Sequence, residues 1–150
     1  MATVTPYLHF GDTCEAAFDF YKSVFGGEYW EKMRFSDMPS GAPAPGSADE
    51  SKKILHCSLP IGNGTVLMGS DVPRSMGTPQ PGMNFSVSVS TDNDEEATRI
   101  FNALSAGGRI DMPLAVAPWG ALFGGFVDKF GVSWLVTNTE HSSDSNSQTN

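Results

Sequence analysis

Apolar residues recur along this chain with two periods, and the order of those periods occurs twice. A short alternating run ends near Phe10. Apolar positions then follow at Cys14, Ala17, Phe18, Tyr21 and Phe25, which is helical spacing, and Gly26-Gly27 stops the run. Asp12 with Glu15 three residues on reads as a capping pair at the helix start. In the second half Phe85, Val87 and Val89 alternate with polar residues. Asp92 and Glu95 repeat the capping spacing, Ala97, Ile100, Phe101 and Leu104 repeat the helical one, and Gly107-Gly108 repeats the stop.

Strand-like runs follow each helix. In the first half they are 28–35, 54–61 and 65–70, and Asn63-Gly64 marks a tight hairpin between the last two. In the second half they are 109–117, 121–127 and 132–137. Each half therefore reads βαβββ, with modules at about 3–71 and 83–138. A single helix over a short sheet is marginal alone, so the two modules are expected to make one domain over 1–140. Two segments stand outside the repeat. Residues 37–53 are rich in Pro, Gly and Ser and read as a long loop, a candidate lid. Residues 141–150 carry almost no apolar side chain and read as a disordered tail.

Alternation assigns faces. In the first strand Thr5, Tyr7 and His9 oppose Pro6, Leu8 and Phe10. Around His56, Leu55, Cys57 and Leu59 oppose Ile54, His56 and Ser58. In 84–90, Asn84, Ser86 and Ser88 oppose the apolar set. Two readings stay open. The polar sets, with Trp134, line a cavity for a small molecule, or they face solvent on open antiparallel sheets.

Charge and cysteine content narrow the partners. Nine Lys and Arg against seventeen Asp and Glu give a formal net charge of −8. That field disfavours nucleic acid and anionic membrane surfaces. The basic residues are scattered, and nothing marks an Arg-rich pocket for a phosphonate. Two cysteines, Cys14 and Cys57, outside any CxxC pair, indicate a reducing compartment rather than a disulfide framework. "MATVTPYLHF" lacks the basic and apolar regions of a signal peptide, and no apolar run is long enough to span a membrane. The expected setting is cytoplasmic. No Ser-His-Asp order, phosphate loop or dinucleotide fingerprint is present.

The stretches "YLHFGDTCEAAFDFYKSVFGG", "ILHCSLPIGNGTVLMGSD" and "WGALFGGFVDKFGVSWLV" resemble the vicinal oxygen chelate superfamily, the group of glyoxalase I, bleomycin-resistance proteins and extradiol dioxygenases. Within it the chain resembles the PhnB-like (YjdN-like) branch. The resemblance covers residues 4–138. It implies an α+β fold of two βαβββ modules whose curved, mostly antiparallel sheets surround a cavity, and it implies a homodimer. It also implies a divalent-metal site, whose ligand positions fall on Thr5, His56, Asn84 and Trp134. Of these only His56 is a strong donor, with His9 as a nearby substitute.

The expected function is therefore metal-independent binding of a small molecule by Tyr7, His56, Asn84, Trp119 and Trp134, with His56 the candidate acid/base. The alternative is a divalent-metal-dependent lyase, isomerase or dioxygenase that uses His56 and His9. Trp119, Phe123 and Trp134 stand as an aromatic wall or as ordinary packing. Glu28, Glu31 and Asp37 are carboxylates in exposed surroundings. Asp128 and Gly131 are read as turn residues, and both cysteines as packed thiols.

Overall fold

The computed structural model describes residues 1–38 and 50–143. Its contacts divide the chain into two units, 1–80 and 81–150, each with one helix and one four-stranded sheet. The lid expected at 37–53 falls largely on residues 39–49, and the tail largely on 144–150, outside the described residues.

The first unit runs β1 (Tyr7–Phe10), α1 (Cys14–Phe25), β2 (Glu31–Arg34), β3 (Ile54–Ile61) and β4 (Thr65–Asp71). Single 3-10 turns stand at Phe35–Asp37, Glu50–Lys52 and Arg74–Met76. The sheet order is β1-β4-β3-β2; β1 pairs β4 in parallel and the other pairs are antiparallel. The second unit runs β5 (Val87–Ser90), α2 (Asp94–Ser105), β6 (Arg109–Val116), β7 (Leu122–Val127) and β8 (Ser133–Asn138). Its order, β5-β8-β7-β6, is that of the first unit, again with one parallel pair. The α+β fold and both βαβββ repeats are thus present.

Helical spacing translates directly into packing. Cys14, Ala17, Phe18, Tyr21 and Val24 of α1 are buried against Leu8, Phe10, Cys57, Leu59 and Leu67. Val24 takes the last core place that periodicity assigns to Phe25, which is only half-buried. In α2 the expected Ala97, Ile100, Phe101 and Leu104 are all buried. Both helices press a phenylalanine onto a glycine. A Cβ at Gly69 would lie 2.6 Å from Phe18, and one at Gly124 would lie 2.7 Å from Phe101. A side chain at either glycine would have to displace that ring.

Local hydrogen bonding differs from expectation at both helix starts. Asp12 does not cap α1. The Cys14 N–H instead donates to Asp71 Oδ1 at the end of β4, so a tertiary partner serves the helix end. Glu15 turns outward and receives Lys32 Nζ at 2.7 Å and the Arg34 guanidinium, which ties α1 to β2. At α2 the cap is Asn93, whose side chain accepts the Glu96 N–H at 2.8 Å, one residue later than the Asp92–Glu95 pair.

The Lys32 and Arg34 contacts hold the Glu15 carboxyl below its ordinary range. A depressed folded value means the clamp stabilises above the ordinary carboxylate range and is lost as pH falls through the folded value. Glu15→Gln is therefore expected to flatten the acid limb of a thermal-stability profile followed by circular dichroism. An unchanged acid limb would remove Glu15 from that role.

Two expected faces are corrected. Strict alternation puts Ile54 beside His56, yet Ile54 is 1% exposed. The register slips between Met33↔His56 and Arg34↔Ile54, and such a bulge re-aims the strand. Alternation also predicts Phe85 beneath a helix. Strand pairing begins only at Val87, and Phe85 is 62% exposed.

Candidate functional site

One face of the first sheet is covered by α1, and the other carries the polar side chains. Register places them in rows. Tyr7 pairs Met68, Met68 pairs Ser58, and Ser58 pairs Glu31. His9 pairs Ser70, and His56 pairs Met33 in the neighbouring row. Alternation thus brings Tyr7, His9, His56, Ser58 and Glu31 to a single face from three strands, which local sequence spacing cannot show.

His56 is the centre of this face. The Tyr7 ring lies over its imidazole, with centroids 5.7 Å apart and planes 26° apart. The Tyr7 hydroxyl reaches across β4 to within 3.1 Å of Nδ1. When that hydroxyl donates to Nδ1, the proton of the neutral imidazole sits on Nε2. Nε2 faces Glu31 Oε2 at 3.7 Å, beyond hydrogen-bonding distance. The His9 ring also lies beside Tyr7, with ring centroids 5.1 Å apart. The His56 side chain is 29% exposed and held by its neighbours. Glu31, expected only as an exposed carboxylate, joins the site because β2 pairs with β3.

The remaining expected residues fall in the second unit. Asn84 lies outside β5 and is exposed. Trp119 is 68% exposed in the turn before β7 and meets Phe123 edge-on, with centroids 5.6 Å apart. Trp134 lies in the core. It is 1% exposed, it pairs with Val87 and Phe126, and its indole N–H donates to Asp128 Oδ2 at 2.9 Å. It therefore sits on the apolar side of the sheet, away from Ser88. An indole is large and apolar with a single donor. One buried acceptor is enough to place it in the core.

Divalent metals of this fold class need several anionic or imidazole donors. Among the described residues no group of three or more His, Cys, Asp or Glu side chains is arranged to hold an ion. Around His56, one nitrogen is engaged by Tyr7 and the other faces a carboxylate. This donor set does not fit a catalytic metal.

The model of the family described as 3-demethylubiquinone-9 3-methyltransferase matches residues 2–137. Protein YjdN of Escherichia coli (strain K12) is 28% identical over 139 residues, which is 89% of this chain and 92% of YjdN. The crystal structure of PA1353 from Pseudomonas aeruginosa superposes with a TM-score of 0.79 at 36% identity, covering 92% of this chain and 98% of that one. The putative 3-demethylubiquinone-9 3-methyltransferase, PhnB protein, from Bacillus cereus superposes with a TM-score of 0.72 at 29% identity, covering 92% and 100%. No helix among the described residues is long and apolar enough to cross a membrane.

Proposed function

This chain belongs to the family described as 3-demethylubiquinone-9 3-methyltransferase, the PhnB-like branch of the vicinal oxygen chelate superfamily, and from that premise we propose that it binds a small molecule without a metal. The observation that carries the reading is the Tyr7–His56–Glu31 arrangement on an open sheet face. Tyr7 and His56 offer stacked flat surfaces for a planar or apolar part of a ligand. The imidazole and the Tyr7 hydroxyl offer hydrogen bonds for its polar part. Binding would exchange the Tyr7–His56 bond for bonds to the ligand, so the polar groups remain satisfied in both states. Trp119 and Asn84 are exposed in the second unit, and the reading rests on the first unit's face alone. Trp134 is left to packing.

Methyl transfer is not carried over from the family description, because no loop of nucleoside-cofactor type occurs in the sequence. Self-association as a homodimer is supported by β6, an edge strand with Ile110, Met112 and Val116 exposed. A reducing, cytoplasmic setting is supported by Cys14 and Cys57. Both thiols are buried and free, with Sγ atoms 3.6 Å apart.

The test has two readouts. Elemental analysis of protein purified without chelator or affinity tag should find no stoichiometric metal in wild type or in His56→Ala. Native mass spectrometry, followed by titration of any co-purifying molecule, should show affinity about tenfold or more weaker in His56→Ala, with the circular dichroism spectrum unchanged. Near-stoichiometric metal that disappears in His56→Ala would sink the metal-independent reading. It would favour a lyase, isomerase or dioxygenase.

A further inference from the structure

Two cysteines that stand 43 positions apart in the chain meet in the core of the first unit. Cys14 opens α1, and Cys57 lies in the middle of β3. Both are free and buried, and their Sγ atoms are 3.6 Å apart, a direct thiol–thiol contact. Alternation turns Cys57 toward α1 and the neighbouring His56 to the other face of the sheet, so neither thiol takes part in the His56 arrangement.

The contact is held from the backbone. Asp71, at the end of β4, is buried. Its Oδ1 accepts the Cys14 N–H at 3.0 Å, and its Oδ2 accepts the Ile54 N–H at 2.9 Å. One carboxylate therefore fixes the start of α1 and the start of β3 in the same place. Cys57 is fixed further by strand pairing on both sides, with Lys32 of β2 and Gly69 of β4.

That placement has a chemical consequence. In the unfolded chain the two sulfurs can join only by closing a long loop, at a cost in chain entropy that the fold has already met. Their effective concentration toward each other is thus far higher in the folded protein. A disulfide brings its sulfurs to about 2.0 Å, so closure draws this pair together by about 1.6 Å. The start of α1 is anchored on Asp71, and part of the movement falls on β3, where His56 is the next residue. Contact with Cys57, and then burial, push the Cys14 thiol well above the ordinary thiol range. It is unlike the exposed, acidic cysteine of a rapid peroxide sensor, and it suits a slow response to the standing thiol–disulfide balance.

We propose that Cys14 and Cys57 form a reversible dithiol–disulfide pair whose closure moves β3 at His56, so that the redox state of the surroundings regulates the His56 face. The oxidant is a small disulfide. When the first turn of α1 opens, the Cys14 thiolate attacks one of its sulfurs, the small disulfide's S–S bond breaks, and one small thiol leaves. The Cys57 thiolate then attacks the Cys14 sulfur of the mixed disulfide. The bond between the two cysteines forms, and the second small thiol leaves. The two cysteine protons end on the two small thiols, and the two electrons reduce the small disulfide. The regulation rests on the reading of the His56 face as a binding site; the disulfide itself does not.

The experiment equilibrates the full wild-type chain in graded mixtures of oxidised and reduced glutathione, folded and in urea, starting from both the reduced and the oxidised protein. After acid quenching, intact mass counts the bridge as a loss of two hydrogens. The folded chain should reach half-oxidation at a glutathione mixture about tenfold or more less oxidising than the unfolded chain needs. By linkage the oxidised chain should melt at a higher temperature than the reduced one. Equal midpoints, a folded chain that is harder to oxidise, or glutathione adducts in place of the bridge would overturn the pair. In the ¹⁵N-labelled chain, oxidation should shift the His56 amide signal while that of Trp119 in the second unit stays still. A bridge that forms with His56 unmoved would overturn the regulation. Failure of ligand binding on the His56 face would leave the midpoints and these shifts as expected, so the two readings fail separately. Wild type serves throughout, and no variant has to fold.

Discussion

Asp128→Ala is expected to destabilise the protein by about 3–5 kcal/mol, a large effect for the truncation of one side chain. Asp128 is 3% exposed, in the turn between β7 and β8. Its Oδ1 accepts the Phe130 N–H at 2.8 Å and the Val132 N–H at 3.0 Å, and its Oδ2 accepts the Trp134 indole at 2.9 Å. Truncation leaves three donors without that acceptor, each costing on the order of 1–3 kcal/mol when buried. Water reaching the opened turn would recover part of the loss. The backbone donors fix the turn, while the indole ties it to the core, so the effect should exceed that of an ordinary turn aspartate. Asp128→Asn tests the partition. Its single oxygen could keep the turn or the indole, and it should fall between wild type and Asp128→Ala. Urea unfolding followed by tryptophan fluorescence measures all three, and a loss below about 1 kcal/mol for Asp128→Ala would refute the account.

Gly108→Ala is expected to be the next most damaging change, at about 2–3 kcal/mol. Gly108 directly precedes β6. A Cβ there would overlap the Val127 carbonyl oxygen and come within 2.9 Å of the Asp128 Cα and carbonyl carbon. Those atoms belong to the backbone at the β7 end of the β6–β7 ladder, where Arg109 pairs Val127, so they cannot rotate away. Relief requires β6 to move, which disturbs the ladder. Gly69→Ala is the informative comparison. Its added Cβ meets chiefly the edge of the Phe18 ring, at 2.6 and 2.9 Å, with the Leu8 carbonyl oxygen at 3.0 Å. A ring edge can tilt, so Gly69→Ala should cost less than Gly108→Ala, by about 1 kcal/mol. Thermal melts of the two variants side by side settle the order. The reverse order would mean that helix packing on the first sheet is less tolerant than strand pairing in the second.

Much of the candidate site is legible in the order of residues along the chain. His56 stands out by its place between apolar strand residues, and Tyr7 and His9 by alternation in the first strand. The fold does bring these three to one sheet face. Glu31 is visible in the sequence only as an exposed carboxylate, because its role depends on β2 pairing with β3 in a register that slips at Met33. Trp134, expected in the ligand cavity, is instead buried on one face with Val136. An aromatic residue in an alternating strand fits a wall or a core equally well, and the Asp128 carboxylate that holds its indole lies across a turn.

The two βαβββ modules, the buried stripes of both helices and the hairpin at residues 62–64 follow from the order of amino acids alone. Such features depend on residues a few positions apart, since the helical period of 3.6 and the strand period of 2 are local geometry. Long-range pairing, by contrast, sets which acceptors serve the start of α1, which face Ile54 takes, and that Arg34, Lys53 and Arg74 surround one cavity. Those outcomes depend on strand order and register, which join residues tens of positions apart. One residue of slip reverses a side chain's face without changing the local pattern.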